Sequence, residues 1–308
     1  MPIEDIQTFS KLFKLPIPLH REVDYYLQTL ARSAQFEDMA TLRAEFESFE
    51  ARLQQRQMGA AQYRNQCNER LVKFIGATEA YKRFEDAPLP ARPSRKDDRR
   101  RFHGQVWLSI DLRKANYHTL RRFDDDGELG QSWEALLEEQ GVDRALSHSK
   151  SFRQIIFGNL NPKRSQRLQS AIIADMLHGL IGGGQMVQDE VVFIGHDELI
   201  VACGQGPEAA ERCAAIGQAA QALEALPAPH TMRLTVLRHS ALAGRGCALE
   251  EHLDPNTLDV TQRRLFGVPG NLFFLYFKQH VLQEPLDVRD RYFWNEGRLA
   301  MWVDEEGL

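Results

Sequence analysis

The sequence predicts an α+β fold built around a sheet with the chain order β-α-β-β-α-β, the split ferredoxin-like layout. Three observations carry that expectation. Val106, Leu108 and Ile110 alternate with Trp107, Ser109 and Asp111, as in a strand with one buried face, and a helical stretch follows from Lys114 to Arg122. Val191 to Ala202 reads as two β-rich runs separated by a short polar turn at Gly195-His196-Asp197-Glu198. Gly195 is expected to supply the backbone sign change of a tight reversal. Pro207 to Leu226 is an alanine-rich amphipathic helix, and Met232 to Arg238 completes the unit as a strand.

A helical region precedes this unit, over residues 1–90. Leu27, Leu30, Ala31 and Ala34 recur at three- and four-residue spacing, as do Leu42, Phe46, Phe49 and Leu53, so two or three helices are expected between residues 20 and 84. The prolines at 88, 90 and 93 end them, because each removes a donor and restricts the residue before it. The basic linker, 91–105, holds Arg92, Arg95, Lys96, Arg99, Arg100 and Arg101 against Asp97 and Asp98. Arg95, Lys96, Arg99 and Arg100 are the candidates to guide a polyanion. Residues 106–245 form the expected catalytic domain, and 246–308 a small aromatic-rich subdomain. There, Phe266, Phe273, Phe274, Tyr276 and Phe277 are read chiefly as core, with a turn at 266–271 opening a helix through Leu282.

Composition narrows the class. The chain has 308 residues, 43% of them hydrophobic, which is enough for a substantial core. A formal charge of -5 argues against a protein coated in positive charge, while leaving room for a local basic channel. The four cysteines form no Cys-x-x-Cys pair, which excludes a zinc ribbon and argues against a disulfide scaffold. A cytoplasmic location is expected. Met1 to Leu15 contains Glu4 and Asp5 and no long apolar core, so neither an export signal nor a membrane partner is expected.

The candidate chemistry lies on the strands and on an insertion between them. Asp111 ends the first strand at a strand-to-helix junction, where ligand-binding groups gather in α/β sheets. In the predicted layout it lies beside the hairpin that carries Asp197 and Glu198, so Asp111 and Asp197 are placed to share a divalent cation. The insertion contains Arg153 and then a helix from Pro162 to Ile181, capped by Asn161 and stopped by Gly182-Gly183-Gly184. Lys163, Arg164 and Arg167 crowd its first two turns against the usual dipole preference, which makes sense if an anion binds there.

At these residues the sequence resembles the palm domain of template-directed nucleic-acid polymerases. The strand ending in Asp111 looks like motif A, the block from Arg153 to Arg167 with its helix takes the place of motif B, and Gly195-His196-Asp197-Glu198 is similar to motif C of family A DNA polymerases. The resemblance implies an RRM-like palm and nucleotidyl transfer, with two Mg²⁺ ions, or Mn²⁺, held by Asp111 and Asp197. It gives Glu198 a supporting catalytic role, assigns Arg153, Lys163, Arg164 and Arg167 to the incoming triphosphate, and places Asn116 where the sugar is inspected. The implied partners are a nucleic-acid template and primer and nucleoside triphosphates, with the C-terminal region as a thumb. The hairpin also resembles the signature of GGDEF nucleotide cyclases, which share this sheet. A nucleotide cyclase or oligonucleotide synthetase is therefore the second reading, and a catalytically silent nucleic-acid-binding module the third.

Overall fold

The computed structural model describes residues 39–57, 59–91, 94–147, 149–223, 231–242, 247–268, 273–295 and 298–301. The helical periodicity at Leu27 to Ala34, the linker residue Arg92 and residues 269–271 of the expected turn lie outside them. Three helices open the described chain: α1 (Met39–Gln55), α2 (Ala60–Ala77) and α3 (Glu79–Asp86). The insertion adds α5 (Trp133–Glu139), α6 (Arg144–Ser147) and α7 (Lys150–Gly158). These two groups share one core, in which Leu71, Ile75 and Phe84 pack with Trp133, Leu136, Phe152 and Ile156. Burial of leucines, isoleucines and aromatics on this scale, at about 1.5–3 kcal/mol per side chain, is what holds short helices together.

The sheet contains β1 (Lys96–Asp97), β2 (Val106–Leu112), β3 (Val191–Ile194), β4 (Glu198–Gly204), β5 (Met232–Ala241), β6 (Ala248–Leu253) and β7 (Val260–Phe266). Its order is β1-β3-β4-β2-β5-β6-β7, with every neighbouring pair antiparallel. The fold is thus α+β around an open antiparallel sheet. Between β2 and β5 the chain runs strand, helix α4 (Ala115–Arg121), insertion, helix α8 (Pro162–Gly182), β3, β4, helix α9 (Glu208–Ala222), strand.

Helix α8 joins the two bodies. Its Leu168 belongs to the helical core, while Ile172, Ile173, Met176 and Leu180 pack with Leu108, Ile110, Leu199 and Val201 of the sheet. The Asn161 side chain caps it by accepting from the Arg164 N–H, and Pro162 begins it, as the sequence predicts. The strand β2 differs from its expectation. Instead of one buried face it is covered on both, because Phe102, in the short 3₁₀ turn Arg99–Phe102, packs with Trp107, Ile200, Ala202 and Leu237 on the side away from α8. Residues 96 and 97, within the expected linker, pair with β3, and β6 and β7, within the expected thumb, continue the sheet beyond β5. The C-terminal part adds α10 (Phe273–Tyr276), a π turn over Phe277–Val281 and a separate hairpin of β8 (Tyr292–Asn295) and β9 (Arg298–Met301).

Gly195 serves its turn in another way than the sequence predicts. It does not adopt a positive φ. A Cβ there would come 2.8 Å from Cε1 of Phe193 and 3.4 Å from the Glu198 carbonyl oxygen, so close approach is what demands glycine.

Candidate active site

At the C-terminal end of β2 lies a cavity of about 440 Å³, lined among others by Asp111, Lys114, Asn116, Lys150, Arg153, Asp197 and Arg233. Backbone pairing builds it. Asp111 stands opposite Glu198 on β4 and opposite Arg233 on β5, and the Leu112 N–H donates to the Asp197 carbonyl at 2.8 Å. Asp111 and Asp197 therefore face one space from adjacent segments.

The electrostatics are mixed in sign. Arg233 donates to Asp111 at 2.8 Å. Burial pushes the Asp111 carboxyl above its ordinary value and the Asp197 charge adds to that, whereas Arg233 and Lys150 oppose it. Glu198 is also raised, by burial first and by Asp111, although it accepts a hydrogen bond from the Ser109 hydroxyl at 2.6 Å. Burial disfavours the charged forms of Arg153 and His118: the guanidinium is lowered, and the imidazole falls to about 4, helped by Arg121, Lys114 and Arg153. His118 is thus neutral near pH 7.

The far wall is set by a strained residue. Lys114 has φ of 44°, a left-handed conformation that costs a non-glycine residue about 1–2 kcal/mol. It caps α4, and its ammonium is fixed by both carboxylate oxygens of Glu134 at 2.6 and 2.7 Å. Next to it, the Asn116 side-chain oxygen accepts from Ser165 at 3.2 Å and from Gln169 at 2.9 Å, both buried on α8. The amide is thereby oriented by the helix that joins the two bodies.

Asp111, Asp197, Asn116 and Arg153 are brought together in this way. Lys163, Arg164 and Arg167 are not among the residues around the cavity. Arg164 donates to the carbonyls of Phe84 and Ala87, and Arg167 to that of Pro90 at 2.7 Å, so both tie α8 to the chain that leaves α3. Lys163 is exposed. Of the basic linker, Arg95 contacts Nδ1 of His196 at 3.0 Å, Lys96 pairs with Asp98 at 3.3 Å, Arg99 pairs with Asp97 at 3.0 Å, and Arg100 is exposed. Lys114, Lys150 and Arg233 line the cavity without being singled out by the sequence. Antiparallel register between β2 and β5 sets Arg233 against Asp111, whereas Lys150 carries no local signal beyond its place after the Ser149 cap.

No protein-family model, curated protein or solved structure matches this chain.

Proposed function

We propose that the chain is a nucleotidyltransferase of the template-directed polymerase type, with the sheet from β2 to β5 as a ferredoxin-like, RRM-like palm. The observation that carries this reading is the convergence of Asp111 and Asp197, from adjacent segments, with Lys114, Lys150 and Arg153 on one cavity. The order β3-β4-β2-β5 supports the palm, since it sets the first and third strands of the unit side by side in the middle.

The donor set fits Mg²⁺, with Mn²⁺ as the alternative ion. Asp111 and Asp197 offer hard oxygens to one space. Among the described residues no group of three or more His, Cys, Asp or Glu is arranged to hold a metal. Mg²⁺ commonly takes one or two carboxylates and completes its shell with substrate phosphates and water, which two aspartates satisfy. When bound, two such ions lower the pKa of an attacking hydroxyl and neutralise a leaving pyrophosphate.

The chain's own groups do the binding and orienting. Arg153, its charge disfavoured by burial, is stabilised by a triphosphate, and Lys150 at the start of α7 adds a second cation. Arg233 balances Asp111 while no cation is there. Asn116 meets the sugar, and Glu198 supports from beside Asp111. Template and primer are the proposed nucleic-acid partners, with Arg95, Lys96, Arg99 and Arg100 nearest the outer edge of the sheet.

The test is a gel assay of the purified protein with Mg²⁺ or Mn²⁺ and a labelled primer on DNA or RNA template. Deoxynucleotides and ribonucleotides run in separate lanes, beside Asp111→Ala. Extension that follows the template and vanishes in the variant supports the reading. Template-free conversion moves the chain to the cyclase or oligonucleotide-synthetase class, and binding without turnover to the silent module.

A further inference from the structure

A second cavity, of about 430 Å³, lies at the other end of the sheet between the turn Arg99–Phe102 and strands β5 to β7. Its polar wall is Asp97, Arg99, Arg100, His103, His239 and Cys247, and Phe266 closes one side. His239 belongs to β5 beyond the residue that pairs with Val106, whereas the first cavity takes Asp111 near the end of β2. At about 3.3 Å per residue this separates the two by about 20 Å.

Several features set this cavity apart from a surface dent. Phe266 is 42% exposed, a large apolar ring left uncovered beside charge. The Arg99 guanidinium lies 3.8 Å from the centre of the Phe193 ring and 5.2 Å from that of Phe266, and Asp97 takes one of its nitrogens at 3.0 Å. Arg99 is therefore committed, and it neutralises Asp97, the one carboxylate among the described residues that line the cavity. Among the described lining residues that leaves Arg100, exposed, as the outstanding cation. His239 is 3% exposed and its ring lies 5.9 Å from that of His103 and 5.2 Å from that of Phe266. Its Nδ1 is buried without a hydrogen-bond partner, a condition rare in folded proteins. Its other ring nitrogen lies 3.9 Å from Glu250, which favours a proton on that side and leaves Nδ1 as an acceptor.

We propose that this cavity is a second binding site, for a nucleoside phosphate, with Arg100 and His103 on the phosphate and Phe266 against the base. The ligand class follows from the wall. One unbalanced arginine beside imidazoles selects an anion and rejects a cation. Inorganic phosphate alone leaves Phe266 bare, while an apolar ligand strands Arg100. A heterocycle stacks on the exposed phenylalanine while its phosphate meets Arg100. The same chemistry comes from a free nucleotide or from one unit of a nucleic-acid strand.

The test is equilibrium binding to the full chain in EDTA, with AMP in one arm and a short single-stranded oligonucleotide in the other. Wild type is compared with Arg100→Ala, Phe266→Ala and, for the first cavity, Arg153→Ala. Loss of affinity of about tenfold or more in Arg100→Ala and Phe266→Ala, with a component retained in Arg153→Ala, is the expected result. A response to AMP identifies the free nucleotide, and a response to the oligonucleotide alone identifies the strand. The proposal is overturned if both variants bind as wild type, if Arg153→Ala removes all binding, or if neither probe binds. His103→Gln replaces Arg100→Ala should the latter lower the unfolding midpoint. The readout is binding without metal, so failure of primer extension leaves it standing; its own failure would remove Arg100 from the proposed nucleic-acid surface and leave the assignments of Asp111, Asp197 and Arg153 untouched.

Discussion

Asp111 and Glu198 stand directly opposite each other across β2 and β4, two carboxylates at one rung of an antiparallel ladder. Like charges so placed are destabilising. Each is settled by a different neighbour, Asp111 by Arg233 at 2.8 Å and Glu198 by the Ser109 hydroxyl at 2.6 Å, and burial still raises both carboxyls. A sheet selected for stability alone would place an apolar pair there. The retained acids mark this rung as a place where stability yields to another requirement.

That cost has a pH signature. Both carboxyls are raised in the folded protein above ordinary values of 3.8 and 4.5. A group of this kind binds its proton more tightly when folded, so its stabilising contribution is full below the unfolded value and is lost as pH rises through the folded one. Glu198→Gln keeps an oxygen for Ser109 and removes the charge. The variant should melt above wild type near pH 7, with the gap closing towards about pH 4. Thermal unfolding across that range checks it, and a lower melting temperature at neutral pH refutes it.

On the polymerase reading, Arg153 binds substrate, whereas Arg164 ties α8 to the carbonyls of Phe84 and Ala87. Arg153→Ala should raise KM for a nucleoside triphosphate by about tenfold to a hundredfold, because a charged contact to phosphate is lost. Its effect on the unfolding midpoint should be small, since burial already disfavours its charge. Arg164→Ala strips donors from the carbonyls of Phe84 and Ala87 and should cost about 1–3 kcal/mol of stability with KM unchanged. Denaturant unfolding and steady-state kinetics on both variants decide it; a KM effect in Arg164→Ala would restore the helix start to the binding surface.

What the sequence made legible follows from how local each signal is. The cap at Asn161, the strand ending in Asp111 and the two strands around Gly195 are written in adjacent residues, and they lie where periodicity and capping predict. The roles of Arg164 and Arg167 are set by carbonyls some 77 positions away. A basic cluster at a helix start reads alike whether it meets a phosphate or a backbone oxygen. Burial of both faces of β2 depends on Phe102 folding back over Trp107, and no alternation pattern within the strand reports that. Lys114, Lys150 and Arg233 come from three elements, so only the assembled register gathers them.

Chelation should stop turnover without unfolding the protein. Arg233 supplies Asp111 with a counter-charge when no cation is bound, so the site does not need metal to hold its shape. EDTA is expected to abolish primer extension, added Mg²⁺ to restore it, and the melting temperature to stay within about 1–2 °C of its starting value, the range of a fraction of a kcal/mol for a chain this size. A large drop on chelation would instead identify a structural ion.

Gly195→Ala tests whether the hairpin turn positions Asp197. The added Cβ would lie 2.8 Å from Cε1 and 3.1 Å from Cζ of Phe193. That ring cannot swing freely, because the Arg99 guanidinium lies over it at 3.8 Å, so the turn itself must shift. Crowding of this kind costs about 1–3 kcal/mol. Gly158→Ala on α7 is the control: nothing lies within 4 Å of its Cβ, and alanine there should be neutral or stabilise by up to about 1 kcal/mol. If the turn positions Asp197, Gly195→Ala loses kcat by about a hundredfold while remaining folded, since a displacement near 1 Å at a reacting geometry has that effect. Loss of stability with kcat intact would show that the close approach at Gly195 serves packing alone.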